Sequence, residues 1–330
     1  MTTTIHIAVD CMSGDFGPRS NLQGVVNVLY KYSDVHLHLC GSESDIKSAI
    51  PASLTNRATI YPCNHLIAAD LKPSTALRMK ETTSLHKALD LVAAKVASIV
   101  VSSANTGAYM ALSLKKVGLI SNVKRPAIGK IVPSLYKESL CAQTLLLDLG
   151  ANVNCTADIL ISFAAIAKDY LLKTQQITNP KVGILNIGSE AGKGTEELQK
   201  TFDALSATPG IKFVGFVEGD QLLQGVADII ISDGFHGNIA LKTMEGTIKA
   251  FYHILKTTMN QSSIRSKILG LLLGNQLKQT FGETYHPKRF NGALFLGLNG
   301  NVIKSHGGAD AEAFAYAIIT AYEIVKPHHT

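Results

Sequence analysis

The feature that most constrains this chain is one supersecondary unit written six times. Each copy is a short β-branched run, a turn of Gly, Asn, Asp or Ser, and then a segment of helical character. The apolar runs fall at residues 5–10, 35–39, 97–101, 144–149, 182–187 and 227–232. Strands alternating with helices predict a three-layer α/β/α fold around a mostly parallel sheet. Ile99-Val100-Val101 and Ile229-Ile230-Ile231 are continuously apolar, as strands buried on both faces are. Right-handed crossovers put each turn at the carboxyl end of its strand, so the six polar turns are expected along one rim, where open α/β sheets bind ligands.

The 330 residues show no linker, charge block or low-complexity stretch, so the expectation is a single α/β domain over residues 1–330. Residues 51–83 carry few strand signals and are expected to cover a cleft with irregular elements. A protruding helical segment is expected at about 241–281. Its first part steps by three or four through Leu241, Met244, Ile248, Tyr252, Leu255 and Met259, one apolar stripe.

Composition removes several function classes. Hydrophobic residues at 46% and charged residues at 17% exclude a disordered or fibrous chain. No apolar run approaches the 18 or more residues of a membrane span, and the opening MTTTIH has no signal core, so a cytoplasmic protein is expected. Five scattered cysteines without a C-x-x-C pair read as reduced thiols, with no structural zinc. The net charge of +6 comes with no basic run longer than a pair and no Trp, which argues against nucleic acid. His36 and His38 share a strand face, yet no Cys or carboxylate stands at ligand spacing, so no metal is expected there.

Three turns carry residues suited to an anion. Ser102-Ser103-Ala104-Asn105-Thr106-Gly107 precedes a helix; it is either an ordinary N-cap or a seat for a negative group at a helix N-terminus. Gly188–Thr195 falls short of a nucleotide phosphate loop, with three residues between its glycines instead of four and Gly194 after Lys193. Lys193 is then either a point charge for an anion or a solvated side chain. Asp233-Gly234-Phe235-His236-Gly237-Asn238 frames Phe and His with glycines, so its backbone either turns sharply or approaches a ligand. His236 there is an acid or base, or a solvent-facing turn histidine. No serine-hydrolase elbow, metalloprotease helix or dinucleotide fingerprint occurs.

Seven ordered blocks add a resemblance over essentially the whole chain: AVDCMSGDFGP at 8–18, VSSANTGA at 101–108, RPAIGKIVPS at 125–134, LLDLGANVNC at 146–155, VGILNIGSEAGKGTEE at 182–197, GFVEGDQLLQGVADIIISDGFHGNIALKTMEG at 215–246 and GLNGNVIKSHGGADA at 297–311. The chain resembles the phosphate acyltransferase family of bacterial phospholipid synthesis, the PlsX family. That resemblance implies transfer of a fatty acyl group from acyl carrier protein to inorganic phosphate. It also implies a homodimer, no cofactor, and a fold similar to phosphotransacetylase and the isocitrate dehydrogenase group. A membrane-bound acyl-phosphate:glycerol-3-phosphate acyltransferase is the implied acceptor of the product. Ser13, Ser103-Ala104 and His236 depart from the family pattern. At Ala104 a Cβ would narrow close backbone approach to phosphate.

On this reading Ser103, Asn105, Thr106 and Lys193 hold phosphate. Asn152 and Asn238 polarise the thioester carbonyl, since amide N–H groups donate without charge. Asp148 and Asp233 orient those donors or Lys193. Arg125, His236 and Lys242 are secondary candidates. The competing activity is phosphotransacetylase-type transfer of a short acyl group from coenzyme A, and a non-enzymatic binding protein on the same fold is the third reading. Residues 264–281 combine Ile264, Ile268, Leu271, Leu272 and Leu273 with Arg265, Lys267 and Lys278, a pattern that suits either peripheral contact with an anionic membrane or a dimer interface.

Overall fold

The computed structural model describes residues 4–136, 140–259, 288 and 291–326. Its centre is an 11-stranded sheet in the order β3-β2-β1-β4-β11-β10-β5-β6-β9-β7-β8. The strands are β1 (Ile5–Asp10), β2 (Val35–Gly41), β3 (Ala58–Pro62), β4 (Ile99–Ser102), β5 (Ala127–Pro133), β6 (Gln143–Leu147), β7 (Lys181–Leu185), β8 (Lys212–Val217), β9 (Ile229–Ile231), β10 (Ala293–Leu296) and β11 (Asn301–Lys304). All six runs read from the sequence are strands. Seven of the ten pairings are parallel, so the mostly parallel sheet stands.

The single rim does not. β10 is antiparallel to both β11 and β5, and β5 is antiparallel to β6. β5 and β6 follow one another in the chain and pair antiparallel, and this reverses the chain. Strands β3, β2, β1, β4, β11 and β5 therefore run one way, and β10, β6, β9, β7 and β8 the other. The six turns divide between opposite ends of the sheet. What lies between them is the sheet's antiparallel centre.

Side chains alternate across the sheet, as the strand period requires. Ile7, Val9, Val101, Ile303 and Leu147 face one layer, formed by α1 (Gly17–Lys31), α6 (Ala157–Gln175) and α9 (Ala311–Val325). Ala8, Val100, Val302, Ile128 and Leu146 face the other, formed by α4 (Ser84–Ala93), α5 (Thr106–Lys116) and α8 (Gly234–Met259). Helices α2 (Glu43–Ala49), α3 (Pro73–Arg78) and α7 (Glu196–Ser206) complete the layers. Helix α3 lies within the segment expected to be irregular and packs against α5. His36 and His38 do share a face, together with His6. His6 Nδ1 is 3.0 Å from His38 Nε2, and burial with the two neighbouring imidazoles lowers His38 to about 4.

Helix α8 begins at Gly234, seven positions before the expected start of the helical segment. The Gly-rich stretch that reads as a turn is its first turn, because Asp233 caps it: the His236 N–H donates to Asp233 Oδ1 at 2.9 Å and the Gly237 N–H to the Asp233 carbonyl at 3.0 Å. Residues 264–281, with both the membrane and the dimer readings placed on them, lie outside the described residues. Among the described residues no helix is long and apolar enough to cross a membrane.

Candidate active site

Two buried aspartates organise the turns. Asp10, at the end of β1 and fully buried, accepts the Met12 N–H at 3.2 Å, the Ser13 N–H at 3.4 Å and the Ser102 hydroxyl at 2.6 Å. The Ser103 hydroxyl donates to the Ser13 carbonyl at 2.6 Å, so Ser103 ties the turn after β4 to the turn after β1. Its side chain is buried and its hydroxyl is engaged within the protein. Ala104 is buried in the core, and its backbone is not among the residues of positive φ, so its Cβ demands no strain there.

Asn105 caps α5. Its Oδ1 accepts the Ala108 N–H at 3.1 Å while its Nδ2 donates to the Ala69 carbonyl at 2.8 Å. Asn105→Ala is expected to cost about 1 kcal/mol of stability for the lost cap, read as a lower urea midpoint at unchanged slope. An unchanged midpoint would remove the capping role.

Asp148, the counterpart at the end of β6, is equally buried. Oδ1 accepts from the N–H groups of Ile128 (2.9 Å) and Ala151 (3.1 Å); Oδ2 accepts from Asn152 N–H (2.7 Å) and Asn152 Nδ2 (2.9 Å). Burial raises its carboxyl above the ordinary value, against the pull of these donors. Asp148 thus holds the backbone and side-chain amides of Asn152. The second amide hydrogen of Asn152 goes to the Pro126 carbonyl at 2.8 Å. Both donors are engaged inside the protein.

The glycines around His236 approach protein, not ligand. The Gly234 N–H donates to the Asn152 carbonyl at 2.7 Å, and a Cβ at Gly237 would sit 1.9 Å from the Asp148 carbonyl oxygen. Asp233 orients His236, whose Nδ1 lies 2.8 Å from Oδ2, with the imidazole largely exposed. Asn238 follows on the first turn of α8. Its amide makes no hydrogen bond among the described residues, which leaves it available as a donor.

Lys193 does not join Ser103, Asn105 and Thr106 within the chain. It is exposed in the loop after β7, with its own carbonyl held by Asn186 and Gln199. Six strand positions separate β4 from β7, roughly 29 Å across a sheet at about 4.8 Å per strand, and the two strands run in opposite directions. Arg125 is exposed at the entry of β5, where its charge is felt by Cys155.

The polar groups that do converge lie over the antiparallel centre of the sheet, in a crevice of about 220 Å³ between α5 and α8. Thr106 enters from α5, Asn238 and Lys242 from α8, Lys130 from β5, and Lys304 and His306 from the end of β11. Three of these side chains meet one carboxylate: Glu245 Oε1 lies 2.8 Å from Lys130 Nζ and 3.7 Å from His306 Nε2; Oε2 lies 3.0 Å from Lys242 Nζ. Burial opposes ionisation of Glu245, but His306, Lys130 and Lys242 together hold its carboxyl well below the usual range. Lys130 is pulled down by burial and held up by Glu245.

Of the expected site residues, Thr106, Asn238 and Lys242 are brought together here. Lys130, Glu245, Lys304 and His306 were not singled out from the sequence. A signal was present: AIGKIVP places a lysine inside an otherwise apolar strand and NVIK ends a strand on one, and a charge carried into a sheet needs a partner or a ligand.

The family model described as "Fatty acid synthesis protein" matches residues 5–329. A phosphate acyltransferase of Vibrio parahaemolyticus is 40% identical over 98% of this chain and 94% of its own length. One from Wolbachia sp. subsp. Drosophila simulans is 39% identical over 99% and 94%. In architecture the chain is similar to a branched-chain phosphotransacylase from Enterococcus faecalis, with a TM-score of 0.61 at 12% identity over 98% of this chain and all of that one. A phosphotransacetylase from Streptococcus pyogenes gives 0.60 at 16% identity over 98% and 95%. The two structural likenesses support the fold, and the sequence matches support more: the chain belongs to the phosphate acyltransferase family.

Proposed function

We propose that this acyltransferase moves a fatty acyl group from acyl carrier protein to inorganic phosphate, releasing an acyl phosphate for phosphatidic acid synthesis. The observation that carries this reading is the crevice: three lysines and a histidine line it, two of those lysines and the histidine meet the Glu245 carboxylate, and it opens beside the first turn of α5. Lysine ammonium groups and a helix N-terminus attract a dianion. In the reaction a phosphate oxygen attacks the thioester carbonyl carbon; the new C–O bond forms, the C–S bond breaks, and the sulfur leaves as thiolate to take up a proton. Holding phosphate against the carbonyl supplies the orientation, and the unengaged Asn238 amide in the same crevice supports a role as donor to the developing oxyanion. Membership of a phosphate acyltransferase family supports phosphate as acceptor. The fatty acid synthesis description supports a long acyl group on its carrier. The product is then handed to a membrane-bound acyl-phosphate:glycerol-3-phosphate acyltransferase, and the enzyme acts in the cytoplasm as a homodimer.

A comparison of donors tests the reading. Phosphate-dependent thiol release is expected to be faster with a long-chain acyl carrier thioester than with acetyl-coenzyme A. Preference for acetyl-coenzyme A would instead establish a phosphotransacetylase-type enzyme, and release from neither donor would leave a binding protein.

A further inference from the structure

Among the crevice lysines, Lys304 is the one that makes no ion pair with a described carboxylate. Lys130 and Lys242 both contact Glu245, whereas the Lys304 ammonium donates to the carbonyl of Ser305 at its own strand end. Lys304 shares the crevice with Thr106, Lys242 and His306. An anion reaching such an ammonium breaks no existing ion pair, so it gains more there than at a lysine already matched.

We propose that Lys304 is the residue that holds the phosphate acceptor, with Lys242, His306 and the first turn of α5 at Thr106 completing the seat. Glu245 takes a positioning role: in contact with Lys130, Lys242 and His306, it fixes Lys242 and His306 at the rim. This assignment rests on the acyl-transfer reading for its biological meaning, but phosphate binding is measurable without any acyl donor. The charged and titratable groups around Lys304 are Asp15 from the turn after β1, Lys242 from α8, Lys130 from β5 and His306 from its own loop. Burial outweighs the attraction of Asp15, and Lys242 adds repulsion, so the Lys304 ammonium is pulled down to about 8. Its charge is therefore full below that pH and fades above it.

The test is calorimetric titration of inorganic phosphate into the purified full-length protein at constant ionic strength. Lys304→Met is expected to weaken binding roughly ten- to hundredfold, the effect of one lost charge-assisted contact. Lys304→Arg, which keeps the charge, is expected to bind within a few-fold of the parent. Parent affinity is expected to fall as pH rises through about 8, while that of Lys304→Arg does not fall with it. If Lys304→Met unfolds, the pH comparison between parent and Lys304→Arg decides alone. Parent-like binding by Lys304→Met overturns the assignment, as does identical pH dependence in parent and Lys304→Arg. Retained binding in Lys304→Met with loss in Lys193→Ala would move the seat to the loop after β7, and so also overturn it. A parent that binds phosphate through Lys304 yet transfers no acyl group would defeat the acyl-transfer reading while leaving the phosphate seat in place.

Discussion

Glu245→Ala is expected to lower the unfolding free energy at neutral pH by about 3–5 kcal/mol, the cost of removing one partner from a buried ion pair. The Glu245 and Lys130 side chains are only 10% and 5% exposed, so solvent screens their contact weakly. Removing the carboxylate leaves the ammonium of Lys130 in a desolvated place and returns none of its hydration. The double variant Glu245→Ala/Lys130→Met is expected to recover part of that loss, because the buried ammonium goes too. Urea unfolding of both variants and the parent is the measurement; equal losses in the single and double variants would separate the effect from the pair. The pH dependence follows from the same contacts. A carboxyl held low when folded contributes stability that is present above its unfolded value near 4.5 and lost as pH falls toward the folded value. The parent is therefore expected to lose this contribution only in acid, and Glu245→Gln to lack that acid-sensitive part.

Gly237→Ala carries the second large effect, about 3 kcal/mol or more of destabilisation. The added Cβ would lie 1.9 Å from the Asp148 carbonyl oxygen and 2.4 Å from Ser232 Oγ. Neither can give way cheaply. The Asp148 N–H donates to the Ser232 carbonyl at 3.0 Å, the Ser232 hydroxyl donates back to the Asp148 carbonyl at 3.2 Å, and the aspartate side chain is pinned by four further hydrogen bonds. Overpacking of this kind costs about 1–3 kcal/mol in an adaptable core, and a fixed backbone puts this site at the upper end. Gly246→Ala is the matched control on the same helix. Nothing lies within 4 Å of its new Cβ, so helix propensity is expected to raise stability by roughly 0.8–1 kcal/mol. Thermal melts of both variants check the pair; a Gly237→Ala protein as stable as the parent would contradict the close approach of α8 to the Asp148 loop.

Much of this fold was legible in the sequence. The six strand runs were readable because strands buried on both faces are written as unbroken β-branched residues, and residues 229–231 could hardly be anything else. The reversal of the sheet was not, because nothing in residues 134–142 states that the chain folds back antiparallel; strand direction is decided by what pairs across space. The first turn of α8 was hidden by its own glycines, which read as loop until Asp148 and Asn152 show why no side chain fits. Site residues divided on the same line. Thr106, Asn238 and Lys242, which line one crevice, sit in or beside turns that advertise ligand chemistry. Lys130 and Lys304 sit inside strands, where their meaning depends on Glu245 and the crevice that the topology builds around them. Ser103, Asn105 and Asn152 have the residue types of a binding site, but their donors are engaged in holding the turns together.

The most direct measurement is the phosphorus-31 spectrum of the purified protein mixed with a long-chain acyl carrier thioester and inorganic phosphate. An acyl phosphate resonance is expected to grow in step with thioester consumed, and Lys304→Met is expected to suppress it at phosphate concentrations that saturate the parent. Thioester loss without an acyl phosphate signal in the parent, or a signal that grows equally fast in Lys304→Met, would contradict acyl transfer to phosphate in this crevice.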